Sequence, residues 1–199
     1  MSDGTEARGP HGPIGYIRER IPAFDPPAYR GQRYTVLAPD TLDLQERARL
    51  AVHGLTEPTD PAADYEIYWF VSLLHNPAMM RHDWSDQVQV KFLEGLPLVR
   101  IASGSEQNSH VERRWMEVAL HQLGPDGLAY MPVRGRPWAG IASEPYGGIG
   151  DASQLLIPFY NGRIASVLAL YTLRDPDGPW SATLRHLVDG LHELVLDDG

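Results

Sequence analysis

The sequence predicts an all-α chain of antiparallel helical hairpins, preceded by an irregular arm. Three observations predict it. Apolar residues recur every three to four positions in several separate segments, the spacing that lines one face of a helix. Capping and acidic residues stand at the starts of those segments. Pro-Asp-Gly turns stop two of them, at 125–127 and 176–178.

Residues 1–40 carry prolines at 10, 13, 22, 26, 27 and 39. Proline lacks the backbone donor and disfavours helix interiors, so this stretch is expected as an irregular arm. Its first dozen residues are expected as a disordered tail and Ile14 to Pro39 as an arm laid over the body, with Gln32 to Leu37 a short extended piece. Residues 41–199 form the helical domain.

The first helix is expected from Thr41, with Asp43 and Glu46 in its first turn and Leu44, Ala48, Ala51, Val52 and Leu55 on one face; Pro58 and Pro61 end it. Tyr65-Glu-Ile-Tyr-Trp-Phe-Val is rich in aromatic and β-branched residues, and is assigned to a second helix because a hairpin needs a partner there. Ser85 or Asp86 opens the next helix, with Val88, Phe92, Leu96 and Val99 on one face, a kink at Pro97 and a close at Gly104. Val111, Trp115, Val118, Ala119 and Gln122 form another stripe, stopped by Gly124-Pro-Asp-Gly. Residues 124–150 read as loop. Asp151 or Ser153 then caps a helix through Leu155, Phe159, Ile164, Val167, Leu168 and Tyr171. Beyond Asp175-Pro-Asp-Gly-Pro, Leu184, Leu187, Val188, Leu191 and Val195 make the cleanest stripe of all. The two Pro-Asp-Gly turns lie 51 residues apart, a spacing that suits one helical hairpin plus a loop.

Composition narrows the partners. The net charge of −9 argues against nucleic acid and anionic membrane, both of which need clustered Lys and Arg. The absence of cysteine removes disulfides and thiolate chemistry. The N-terminus lacks the apolar run of a signal peptide, and no stretch approaches the roughly 18 apolar residues of a membrane span. Cytoplasm is therefore the expected location.

Polar and aromatic residues are densest from Tyr65 to Glu94. Asp83 and Asp86 flank the expected helix start, and Glu66 is a more distant carboxylate. Neighbouring carboxylates with split acidities divide acid and base roles in glycoside hydrolysis. Each also has a plainer reading: Asp86 and Asp83 as helix caps, Glu66 as the partner of an arginine. Tyr65, Tyr68, Trp69 and Trp84 bracket the acids and offer faces on which sugar rings stack, or else they are core residues. His75, Asn76 and His82 are hydrogen-bond donors for a polyol. Tyr146-Gly-Gly-Ile-Gly-Asp151 reads as a flexible lead-in to a helix that forms the rim of a cleft. Substrate-binding residues are thus expected at Tyr65, Trp69, His75, Asn76, His82, Trp84, Tyr146 and Asp151. Among the eight histidines no pair has the spacing of helix-borne zinc ligands, so no metal is expected. No phosphate-cradling glycine motif and no Gly-x-Ser-x-Gly elbow occurs, and no cofactor is expected.

The run Leu42-Asp-Leu-Gln-Glu-Arg-Ala-Arg-Leu-Ala-Val-His-Gly-Leu-Thr, with Asp64-Tyr-Glu-Ile-Tyr-Trp, His82-Asp-Trp-Ser-Asp-Gln, Lys91-Phe-Leu-Glu-Gly-Leu-Pro, Trp115-Met-Glu-Val and Gly124-Pro-Asp-Gly-Leu, resembles uncharacterised bacterial proteins of the six-hairpin glycosidase-like group. The resemblance covers roughly residues 40–199. It implies an (α/α)6 toroid and a carbohydrate substrate, and carries over no catalytic residue. Six hairpins of the length noted above need roughly 300 residues, so the 199 here are expected to make the N-terminal half. Such a half exposes apolar helix faces, which a homodimer would cover. Three functions follow in order: a glycoside hydrolase using Asp83, Asp86 or Glu66 on an oligosaccharide or small molecule; a non-catalytic carbohydrate-binding fragment; and a terpene-cyclase-like α/α-toroid enzyme, for which His82-Asp-Trp-Ser-Asp is a poor match to an Asp-rich motif.

Overall fold

A computed structural model describes residues 8–9, 12–13, 15–26, 43–74, 76, 79–82, 88–132 and 154–195. These residues are mostly helical, with five α-helices and a few short strands. The helices are α1 (Leu44–Thr56), α2 (Val88–Ser103), α3 (Ser109–His121), α4 (Pro158–Arg174) and α5 (Trp180–Glu193). The strands are β1 (Arg8–Gly9) and β2 (Gly12–Pro13), paired antiparallel; β3 (Thr59–Asp60), β4 (Glu66–Ser72) and β5 (Met79–His82), in that order in one antiparallel sheet; and β6 (Tyr130–Pro132) paired with β7 (Gln154–Leu156).

Helix α1 is capped by Asp43, whose Oδ1 accepts from the amides of Gln45 and Glu46 at 3.0 and 3.1 Å. The cap is therefore two residues beyond the expected Thr41, which lies outside the described residues. Helix α2 runs through Pro97 without interruption. Gly104, at φ +66°, closes it, its amide donating to the Arg100 carbonyl at 2.7 Å. Helix α3 is the heart of the core. Val111, Trp115, Met116, Val118, Ala119 and Leu120 are buried along it, and Val90, Leu93 and Leu96 of α2 and Ile164, Val167 and Leu168 of α4 join the same cluster. Helix α2 packs on α1, α3 and α4, and α4 on α5.

Two expected helices are corrected. The segment Tyr65–Val71 is a strand: β4 begins at Glu66 and pairs with β5, with Val71 opposite Met80. Its aromatic and β-branched residues suit a pleated, half-buried surface better than a helix. The fifth predicted stripe begins as strand β7 and becomes helical only at Pro158. Ile157 precedes a proline and is extended (φ −121°, ψ 109°), and Pro158 takes the first helical position, where its missing donor costs nothing. The segment 124–150 is likewise not all loop, since β6 lies within it. Residues 8–13, expected as a disordered tail, hold the β1–β2 pair.

The Pro-Asp-Gly turns are not equivalent. Gly127 sits at φ +82° and leads into β6, whereas Pro176-Asp-Gly178 runs straight into α5. The first turn docks on α5: His186 Nε2 lies 3.1 Å from the Pro125 carbonyl, and Gly190 faces the Asp126 carbonyl. A Cβ at Gly190 would fall inside contact distance of that oxygen and 3.1 Å from Leu128 Cγ. Alanine in a helix normally gains up to about 1 kcal/mol over glycine. At Gly190 the clash should reverse the sign, so that Gly190→Ala loses about 1–2 kcal/mol in urea unfolding. Gly162→Ala in α4, where nothing lies within 4 Å, should instead gain about 0.5–1 kcal/mol.

A buried polar set joins α2, α3 and α4. Arg100 Nε pairs with Glu112 Oε2 at 2.6 Å, and its Nη1 donates to the carbonyls of Ser105 and Gln107 at 2.9 and 2.7 Å. Tyr171 donates its hydroxyl to Glu112 Oε1 at 2.5 Å. The arginine fixes the α2–α3 connection.

Candidate functional site

The β3–β4–β5 sheet grows out of an unusual turn. Asp64 and Tyr65 stand consecutively in the left-handed region, at φ 57° and 58°. For residues with a Cβ this costs about 1–2 kcal/mol each and persists only where the surroundings impose it. Here they do. Asp64 Oδ1 accepts from Arg114 Nε and Nη2 at 2.9 and 2.7 Å, and its Oδ2 accepts from the Tyr16 hydroxyl at 2.5 Å. The Tyr65 amide donates to the Asp60 carbonyl at 2.8 Å, and its own carbonyl accepts from Trp115 Nε1 at 2.7 Å. Burial works against the charge of Arg114, but Asp64 and Glu117 outweigh it and hold its pKa above the usual arginine value.

The turn delivers Glu66 into complete burial. One residue on, the Ile67 amide donates to Gln89 Oε1 at 2.9 Å. Gln89 is itself fully buried, and its Nε2 has no acceptor among the described residues. Across the sheet Glu66 faces Asp60, and Thr59 faces Ile67. Asp60 caps the short 3-10 helix Pro61–Ala63 by accepting from the Ala62 amide at 2.9 Å. It also receives the Tyr68 hydroxyl. Burial, then this hydrogen bond, raise the Tyr68 pKa above the usual phenol value. Tyr68 is opposite His82, and the register shifts between Tyr68 and Phe70. Trp69 lies at that irregularity.

The sheet thus gathers several of the expected residues. Tyr65 and Glu66 stand at its head, Trp69 lies within β4, and His82 ends β5. Tyr65 is partly buried, its ring edge-on to His110 at 5.3 Å. Asn76 is exposed near the hairpin tip, beside Leu73 and Leu74, which are 81% and 97% exposed. His75, Asp83, Trp84, Asp86, Tyr146 and Asp151 lie outside the described residues. Sequence reasoning missed Asp60, Asp64, Arg114, Gln89 and Tyr16. Arg114 and Tyr16 lie 50 and 48 residues from Asp64, so no local pattern announces that set, whereas Asp60 makes local contacts, capping the Ala62 amide two residues on.

Among the described residues no group of three or more His, Asp or Glu is placed to hold a metal ion, and no helix is long and apolar enough to cross a membrane. No protein-family model, curated protein or solved structure matches this chain.

Proposed function

We propose that the chain is a carbohydrate-active protein, a glycoside hydrolase whose site centres on the head of β4. The observation that carries this reading is the clamped left-handed turn, which holds the Glu66 carboxylate opposite Asp60. Strained backbone held by many partners is typical of functional sites. Directly opposed strand residues share one face of the sheet, with Cβ atoms roughly 5 Å apart, and paired carboxylates divide acid and base roles in glycoside hydrolysis.

In this reading Glu66 acts with Asp83 and Asp86 as acid and base. Tyr65, Trp69 and Trp84 stack on sugar rings. His75, Asn76, His82, Tyr146 and Asp151 meet hydroxyls. The pairs α1–α2 and α4–α5 are taken as hairpins of a partial (α/α) toroid. The complete burial of Glu66 favours a second reading, a carbohydrate-binding fragment without turnover, because a carboxylate away from solvent meets no substrate until something opens.

A glycan panel separates the two. Under the first reading Glu66→Gln should lower hydrolysis by about 10²–10⁴-fold while calorimetric binding persists. Asp83→Asn and Asp86→Asn, tested singly, should each slow turnover if they carry acid or base roles. Binding without hydrolysis by the unaltered chain selects the fragment. Neither binding nor hydrolysis on any glycan removes both readings.

A further inference from the structure

We infer that residues 15–26 form a detachable strap, with Tyr16 as its latch, and that this strap keeps Glu66 buried. Its bearing on turnover rests on the role proposed above for Glu66; its bearing on burial does not.

Besides the pairing with β3, four side-chain contacts brace the backbone around Glu66: Arg114 and Tyr16 on Asp64, Trp115 on the Tyr65 carbonyl, and Gln89 on the Ile67 amide. Three of the four come from helices α2 and α3, whose packing is the core itself. Tyr16 alone comes from the arm. Residues 15–26 contain no helix or strand. Tyr16, Ile21 and Phe24 of the arm pack partly buried against the core, and none of residues 15–26 is fully buried. Tyr16 stacks on His121 at 5.8 Å. The Arg18 amide donates to the His121 carbonyl at 2.9 Å, and the Arg18 carbonyl lies 2.5 Å from His121 Nδ1. Phe24 meets Trp180 edge-on at 5.1 Å, and Arg113 reaches the Phe24 carbonyl at 3.4 Å and Asp25 at 3.5 Å. A segment without helix or strand and with no fully buried residue releases at lower free energy than a packed helix.

The strained turn makes release consequential. Two residues with side chains are held against their preferred backbone, so each lost clamp favours relaxation out of the left-handed region. Asp64 immediately precedes Tyr65 and Glu66, and relaxation there rotates the following carboxylate away from its enclosure. A hydrogen bond to a charged group is among the stronger single contacts in a protein. Its loss should raise the opening of this turn about tenfold.

The test is carboxyl labelling of the full chain with a carbodiimide and an amine, read peptide by peptide by mass spectrometry. Glu112, which is buried, reports global unfolding, and Glu193, which is exposed, reports reagent activity. Tyr16→Phe removes the hydroxyl and keeps the ring on His121; Tyr16→Ala removes both. The expected result is Glu66 labelled about tenfold faster in Tyr16→Phe and faster again in Tyr16→Ala, with Glu112 still protected. Unchanged Glu66 labelling in both variants overturns the strap. So does a rise at Glu66 matched by an equal rise at Glu112. A chain that labels as expected and hydrolyses no glycan keeps the strap and loses the hydrolase.

Discussion

Replacing Arg100 with methionine is expected to destabilise the chain by about 3–5 kcal/mol, the usual cost of removing one partner of a buried ion pair. Against a typical total of about 5–15 kcal/mol, that is a large fraction. The guanidinium is fully enclosed, and its partner Glu112 is 1% exposed. Without it the carboxylate keeps the Tyr171 hydroxyl but loses its counter-charge, and the carbonyls of Ser105 and Gln107 lose their donor. The attribution is checked by replacing the whole set. Arg100→Met with Glu112→Leu and Tyr171→Phe removes the stranded groups together and should recover a good part of the loss, since apolar substitutes for a buried pair are often tolerated. Urea unfolding of both variants measures it. A single variant as stable as the parent would mean that the pair contributes nothing.

Trp115→Ala is expected to cost a comparable amount, about 3–5 kcal/mol, by opening a cavity at the centre of α3. The side chain is completely buried and is among the largest in the core. It also donates to the Tyr65 carbonyl, so its loss removes a clamp from the left-handed turn as well as volume from the core. Trp115→Phe separates the two contributions: most of the packing survives and the indole donor does not. Thermal unfolding should place it between the parent and the alanine variant, with the amide of Ile67 exchanging faster than the amides of α4. Equal protection of both segments in Trp115→Phe would show that the indole hydrogen bond has no bearing on the turn.

The helices were legible where the apolar spacing was long and unambiguous. Val111, Trp115, Val118 and Ala119 announce α3, and Leu184, Leu187 and Leu191 announce α5, because a 3.6-residue period over several turns has no strand counterpart. Tyr65 to Val71 had no such period. What decides its conformation is a pair of left-handed residues that are aspartate and tyrosine rather than glycine, held by side chains about fifty residues away. Leu155 and Leu156 continue the apolar run of α4, and only the proline at 158 marks where strand gives way to helix. The site was legible to the same extent. Glu66, Trp69 and His82 lie in one sheet, with Tyr65 immediately before it. Arg114, Gln89 and Tyr16 come from separate elements, and contacts between elements leave no trace in local spacing.

The same turn has a kinetic consequence. Its backbone angles are unfavourable until Trp115, Arg114 and Tyr16 arrive, and those partners lie 48 to 50 residues away along the chain. Closing loops of that size carries an entropic cost that only a nearly assembled core repays. The head of β4 is thus expected to form late. Helix α3 is expected to dock before the chain bends there, which would leave the Glu66 carboxylate in water until late in folding.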